Sequence, residues 1–416
     1  TNPHWHYVAV PVDVSGSSVT SAVFGTPHTH SGTDYYAHYY NETAGNYTDI
    51  TDNTTDLSGQ LRGYAVPKGG DATLSFDGTL TSGSYNTTLT RNGDGYNLVG
   101  NPYPSGLNLG SFGGSMEGIT ASNTELVTTV WIRSDDNFLE YNWQSGDAVS
   151  GSFTGVVPPM QGFWLRVADQ PDNVTFGVDD PARTHDNNIV YKATETHLLR
   201  LQASCGEYTD EAVIGFYPQA AEGFENYDSE KMFAESGAYP QLYMPVEGRT
   251  LAINGLPASS PERVVALGFR TAQAGEFTIR ATNISGFASA DAVFLEDTKT
   301  GTMTDLRKQA AYTFSTNGPA DTPERFRVHF TKSTTDAAVP ENHELTVYTH
   351  RRTLYLQHTL AATAQVEVYA LTGQKIITKQ NLNKGLHTIP LNAQPGIYIV
   401  KTTAGNVVHT EKVMLE

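Results

Sequence analysis

The run Val366-Glu367-Val368-Tyr369-Ala370-Leu371-Thr372-Gly373-Gln374, then Gly385-Leu386-His387 and Pro395-Gly396-Ile397-Tyr398-Ile399-Val400-Lys401, decides how this chain folds. Apolar and polar residues alternate within each run, and Gly, Asn or Pro closes it, which is the pattern of a half-buried strand. Gly373 and Gly396 stand where a tight turn needs a residue that tolerates positive φ. Working outward, Glu344-Leu345-Thr346-Val347, Leu354-Tyr355-Leu356, Gly405 and Lys412-Val413 continue the pattern from Glu344 to Glu416. The segment predicts about six or seven short strands, the number an immunoglobulin-like sandwich requires.

In their order these runs resemble the C-terminal sorting domain of type IX secretion cargo from Bacteroidetes-type bacteria. The resemblance implies sorting-signal roles for Gly373, Gly385, Pro395, Gly396, Tyr398, Val400, Lys401 and Lys412. It also implies export through the periplasm and outer membrane to the cell surface or the medium. The implied partners are the type IX translocon, an outer-membrane shuttle barrel and a sortase-like peptidase. It leaves open what the exported protein does.

Upstream, the first region (residues 1–180) carries strand candidates at His4 to Val10, Leu61 to Val66, Thr73 to Phe76, Tyr96 to Val99, Thr128 to Arg133 and Gly162 to Val167. Turns such as Asn92-Gly93-Asp94-Gly95 separate them with hairpin chemistry. The second region (residues 187–332) repeats the pattern from Leu198 to Phe330, and only Ser229 to Glu235 looks capable of a helical turn. Leu61-Arg62-Gly63-Tyr64, Tyr96-Asn97-Leu98-Val99-Gly100-Asn101-Pro102-Tyr103-Pro104, Pro159-Met160-Gln161-Gly162-Phe163-Trp164-Leu165 and Tyr227-Asp228-Ser229-Glu230-Lys231-Met232-Phe233 resemble a β cassette found beside the sorting domain in large Bacteroidetes surface proteins. Polar, Pro-containing stretches at Asp179 to Asp186 and Ser333 to Pro340 read as linkers. The second linker would leave the sorting domain, residues 341–416, a movable and protease-accessible unit. The expected fold class is all-β, with tandem antiparallel β-sandwich domains ending in a small immunoglobulin-like sandwich.

Composition narrows the partners. The 416 residues carry a formal net charge of -18 and only 17 % charged residues, a balance that repels nucleic acid and anionic membranes. Cys205 is the only cysteine, so no intramolecular disulfide can form. It sits in Leu199-Arg200-Leu201-Gln202-Ala203-Ser204-Cys205, where a small buried hydrophobe is the plainer reading than a nucleophile. No apolar run approaches the ~18 residues of a membrane span. The start at Thr1 has no initiator Met and no signal-like apolar stretch, so the chain reads as a processed form or the C-terminal part of something longer.

Three constellations offer chemistry. His4/His6 and His28/His30 are His-x-His pairs that a strand would turn to one face, giving up to four nitrogen ligands for Zn²⁺ with Asp34 nearby. Surface packing beside Trp5 and Tyr7 is the competing reading. Asp49, Asp52, Asn53 and Asp56, and separately Asp135-Asp136-Asn137, offer oxygen ligands suited to Ca²⁺, although their spacing misses the EF-hand rule and matches solvated turns. Tyr35, Tyr36, Tyr39 and Tyr40 could stack on sugar rings or could pack as alternating strand residues. Gly-x-Ser-x-Gly is absent. The reading that follows is a non-catalytic exported surface protein without a cofactor. The alternatives are a glycan- or surface-binding adhesin and the C-terminal remainder of an exported hydrolase.

Overall fold

The computed structural model describes residues 4–13, 28–30, 33–52, 57, 61–68, 74–109, 118–121, 125–134, 137–149, 153–169, 172–185, 197–258, 263–287, 291–331, 345–350, 352–370, 372–405 and 407–415. Among them the only helical element is a 3-10 turn at Asp180–Ala182, and all other regular structure is strand. The chain is all-β, as the alternation predicts.

In the first region the strands His4–Val8, Tyr64–Lys68, Ala37–Asn41 and Asn46–Ile50 pair in that order. A second sheet orders Tyr96–Gly100, Gly162–Arg166, Thr129–Ser134 and Asn137–Asn142. Tyr7 and Ala65 from the first sheet are buried against Leu98, Trp131, Phe138 and Trp164 from the second. Trp164 meets Tyr7 and Tyr40 edge-on at centroid distances of 5.8 and 4.7 Å, the geometry that ring quadrupoles favour.

The Asn-Pro-Tyr-Pro string forms a hydrogen-bonded corner. Pro102 and Pro104 have no N–H to give, and the fully buried Asn101 supplies the missing donors. Its amide nitrogen donates to the carbonyls of Ser105 (2.8 Å), Val157 (3.2 Å) and Pro158 (3.0 Å), while its oxygen accepts from the Tyr103 N–H at 3.0 Å. Thr81 completes the corner by donating to the carbonyls of Pro11 and Pro102.

The second region forms one eleven-stranded sheet. It curls over its own core, because Phe269 on Arg263–Thr271 packs against Phe277 and Phe314, which lie near the far end of the strand order. Tyr208–Tyr217 and Arg249–Pro257 pair in parallel within this otherwise antiparallel set.

Two local expectations differ from the structure. Residues 74–77 form no strand; Leu74 and Phe76 merely anchor an unpaired segment on the core, and two anchors at i and i+2 imitate strand alternation. Ser229 to Glu235 forms no helical turn. Ser229–Glu230 is a strand on Arg249–Pro257, held extended by bonds to the first region. Thr129 Oγ1 donates to Ser229 Oγ at 2.8 Å, and Trp131 Nε1 donates to the Glu230 carbonyl at 2.8 Å. Propensity is a weak prior once such tertiary bonds compete with it.

The stretch expected to link the first two regions is structured in part, since Arg183–Thr184 pairs with Gly106–Asn108. Asp186 and residues 332–344 lie outside the described residues.

The C-terminal module has a three-stranded sheet (Leu345–His350, Thr353–His358, Gly385–Pro390) and a four-stranded sheet (Lys375–Leu382, Ala364–Ala370, Gly396–Ala404, Val407–Leu415). Its own core includes Leu354, Leu356, Val366, Val368 and Val400, all fully buried. It touches the second region at an aromatic joint. Tyr348 stacks on Tyr355 at 4.9 Å and on Phe294 at 5.8 Å, and its hydroxyl shares a 3.1 Å hydrogen bond with His329 Nδ1. His329 Nε2 in turn lies 2.7 Å from Glu296 Oε2.

Candidate functional site

The residues singled out as sorting signals divide into two kinds. Gly373 turns the chain at φ +84 between Ala364–Ala370 and Lys375–Leu382, with the Ala370 N–H bonded to the Gln374 carbonyl at 2.8 Å. Gly396 enters its strand at φ +155, and Gly385 opens Gly385–Pro390. Tyr398 and Val400 point into the core, and the Tyr398 hydroxyl donates to the Gln394 carbonyl at 2.7 Å. These residues build the fold.

Lys401, Lys412 and Pro395 are exposed instead. Lys401 pairs in register with Glu367 and Thr410, and Lys412 with Ile399, so both lysines lie on the outer face of the four-stranded sheet. Val408 and Met414 stand on the same face at 57 % and 53 % exposure. This outer face therefore combines the two lysines and Glu367 with exposed apolar side chains.

The aromatic cluster is distributed by strand alternation. Tyr35 is buried, and Tyr36 and Tyr39 pack partly on the core of the first sheet. Tyr40 packs on the opposite side, toward Trp164. The four rings therefore do not share one open face.

Tyr39 and Tyr40 do border a cavity of about 330 Å³, together with Asn41, Arg62, Thr88 and Asn97. The exposed Arg62 guanidinium lies over the Tyr39 ring, 5.1 Å from its centroid, within cation–π range. Asn97 is engaged locally: its Nδ2 donates to the carbonyls of Thr90 and Gly95. The result is a groove with one half-exposed aromatic face and a polar rim.

Glu42 closes one end of this groove. Its carboxylate accepts from the N–H groups of Asn92 (2.8 Å), Gly93 (2.7 Å) and Gly95 (2.9 Å) and from Thr90 Oγ1 (3.0 Å). Burial alone would raise its pKa, but these donors together hold it below the ordinary 4.5. The sign follows from linkage: the bonds stabilise the fold above pH 4.5, and that contribution is lost as pH falls through the depressed folded value. Glu42→Gln should cost about 2 kcal/mol near neutral pH, because bonds to a charged acceptor are weakened. Urea unfolding at stepped pH should show the difference from wild type shrinking below pH 4.5; a pH-independent difference would contradict the assignment.

The sequence did not point to Arg62, Glu42 or Asn97. The one available signal was that Asn92-Gly93-Asp94-Gly95 is a turn rich in free N–H groups, which a carboxylate from elsewhere can collect.

The histidine pairs lie on two strands. His4 and His6 lie on one strand, paired opposite Lys68 and Val66, and His28–His30 pairs with Thr33–Tyr35. The side chains of His4, His28 and His30 lie outside the described residues, and His6 is exposed. Among the described residues no group of three or more His, Cys, Asp or Glu side chains is placed to hold a metal ion. Asp49 bonds His38 Nδ1 at 2.7 Å; Asn53, Asp56, Asp135 and Asp136 lie outside the described residues.

The two-sheet module coincides with a known class. Residues 340–416 match the family described as the secretion system C-terminal sorting domain, which makes the chain type IX secretion cargo exported to the cell surface or extracellular space. Its body, residues 7–330, is matched by a second family model, and the chain belongs to that family, described as a domain of unknown function (DUF8693). No curated protein matches the chain.

Proposed function

We propose that this is a non-catalytic surface or secreted protein. Its C-terminal module is handed by the type IX translocon through an outer-membrane shuttle barrel to a sortase-like peptidase. The observation that supports it is the division of labour in the chain: an addressed module with a separate core follows a body in which the polar groups at the groove and the corner are committed to structural bonds. The outer sheet face with Lys401 and Lys412 is the surface this reading gives to the machinery. A panel of ester, peptide and glycoside substrates should show no turnover. Activity abolished by a single point substitution would sink the reading and favour an exported hydrolase.

A second reading, a glycan-binding adhesin, is favoured by the groove beside Tyr39. A sugar ring can stack on a half-exposed tyrosine while its hydroxyls meet the polar rim. Tyr39→Ala or Arg62→Ala should then weaken saccharide binding by about 1–3 kcal/mol if these residues act as anchors. A glycan array followed by calorimetry on the intact chain checks this. Saccharide binding unchanged in both variants, or no saccharide bound at all, removes the adhesin reading.

A further inference from the structure

We propose that Lys231 and Asp210 are joined by an intramolecular amide bond between their side chains, formed spontaneously in the folded chain with Glu140 as proton relay. Three separate elements bring these groups together at the seam of the first two regions. Glu140 lies on Asn137–Asn142, opposite the fully buried Trp131. Asp210 lies on Tyr208–Tyr217, and Lys231 directly follows Ser229–Glu230. Lys231 Nζ is 2.6 Å from Asp210 Oδ1 and 3.9 Å from Glu140 Oε1, and all three side chains have no solvent exposure.

A buried ion pair is weak stabilisation, because desolvating both charges offsets their attraction. The same dry contact is favourable for condensation. It excludes the water that would reverse the reaction and holds the reacting groups at near-attack distance, which replaces a costly bimolecular encounter.

The surroundings supply the remaining parts. Leu242 N–H donates to Asp210 Oδ2 at 2.7 Å, and Asn137 Nδ2 donates to Asp210 Oδ1 at 3.2 Å. Both polarise the carboxyl carbon. Glu140 Oε1 accepts from the Met232 N–H at 3.0 Å, whereas Glu140 Oε2 is buried without a hydrogen-bond partner among the described residues. An orphan carboxylate oxygen in a dry site is costly. Burial accordingly pushes Glu140 up to about 7, with Lys231 opposing, so the group can both hold and release a proton. For Lys231, burial disfavours the ammonium, but Asp210 and then Glu140 outweigh it and raise its pKa. The resting state is therefore the ion pair, and proton transfer within the cluster produces the reactive neutral amine.

The step balances without a further reactant. The Nζ lone pair attacks Asp210 Cγ, forming the N–C bond and placing negative charge on Oδ2, where the Leu242 N–H receives it. The Cγ–Oδ1 bond then breaks. Of the three ammonium protons, one stays on the amide nitrogen and two leave with Oδ1 as water, passed on by Glu140, which returns to its starting state. The product ties the strand Tyr208–Tyr217 to the segment wedged against the first region. Such a link limits the unfolded chain as a disulfide does, in a protein with a single cysteine, and reductants do not break it.

The intact mass of the full chain, measured under denaturing conditions after incubation at neutral pH, tests the proposal. The expected mass is lower by one water than the sequence requires. Chymotrypsin, which cuts after Phe216 and Phe224, should yield the Asp210 and Lys231 peptides joined, and trypsin should leave residues 201–249 as one peptide with no cut after Lys231. Lys231→Arg should have the full mass, as should Glu140→Gln with an unchanged circular-dichroism spectrum. Wild-type protein at full mass, or a water lost while the two peptides remain separate, overturns the proposal. Linkage at the wild-type rate in Glu140→Gln overturns the relay role.

Discussion

Asn101→Asp should destabilise the first region by about 3–5 kcal/mol, since several buried acceptors lose their donor at about 1–3 kcal/mol each and the new charge faces them unpaired. The carbonyls of Ser105, Val157 and Pro158 converge on the Asn101 amide nitrogen, and a carboxylate in that place offers no proton to any of them. Against a typical domain stability of about 5–15 kcal/mol, the loss is a large fraction. Asn101→Ala should cost somewhat less, because it orphans the same carbonyls without adding charge. Urea unfolding followed by tryptophan fluorescence reads the effect directly, because Trp131, Trp143 and Trp164 are all buried in this region. A shift under about 1 kcal/mol for the Asp variant would mean that water replaces the amide, and that the corner does not hold the fold.

The same corner shows what a sequence gives away. Asn101-Pro102-Tyr103-Pro104 stood out as a string, but its meaning needed Val157 and Pro158, more than fifty positions away. Class and strand positions were legible because alternation is local, and the C-terminal module was the most legible part: Gly373 and Gly396 carry the positive φ their turns were expected to need. Trp131 and Trp164 lie within the strand runs expected at Thr128 to Arg133 and Gly162 to Val167, and they are buried.

What failed was local reading at places where distant groups decide the backbone. Ser229 to Glu235 looked helical until Thr129 and Trp131 claimed its polar atoms. For the four tyrosines the run left stacking and alternating packing both open, and only the bend at Tyr36 and the alternation through Tyr39 and Tyr40 show their rings going to different layers. Glu140, Asp210 and Lys231 gave no signal at all, because no spacing rule links three residues that meet only through the seam.

Ending the chain at Thr331 should abolish surface delivery while leaving the upstream body folded. The two cores are separate: Leu354, Val366 and Val400 belong to the module, and Phe269, Phe326 and Val328 to the second region. Removing the module therefore opens no cavity in the body. What the body loses is the joint, where Tyr348 stacks on Phe294 and shares a hydrogen bond with His329. The Glu296–His329 pair lies wholly within the body and is retained. The lost bond is worth about 1 kcal/mol, because water can take the place of the Tyr348 hydroxyl once the joint is open. The truncated protein should then melt within a few degrees of the full chain and accumulate in the periplasm. Fractionation of cells expressing either form, with thermal melts of both proteins, separates the outcomes. A truncated form delivered to the surface would show that the address lies elsewhere. A truncated form retained inside but unfolded would show that the aromatic joint, rather than the separate cores, holds the body together.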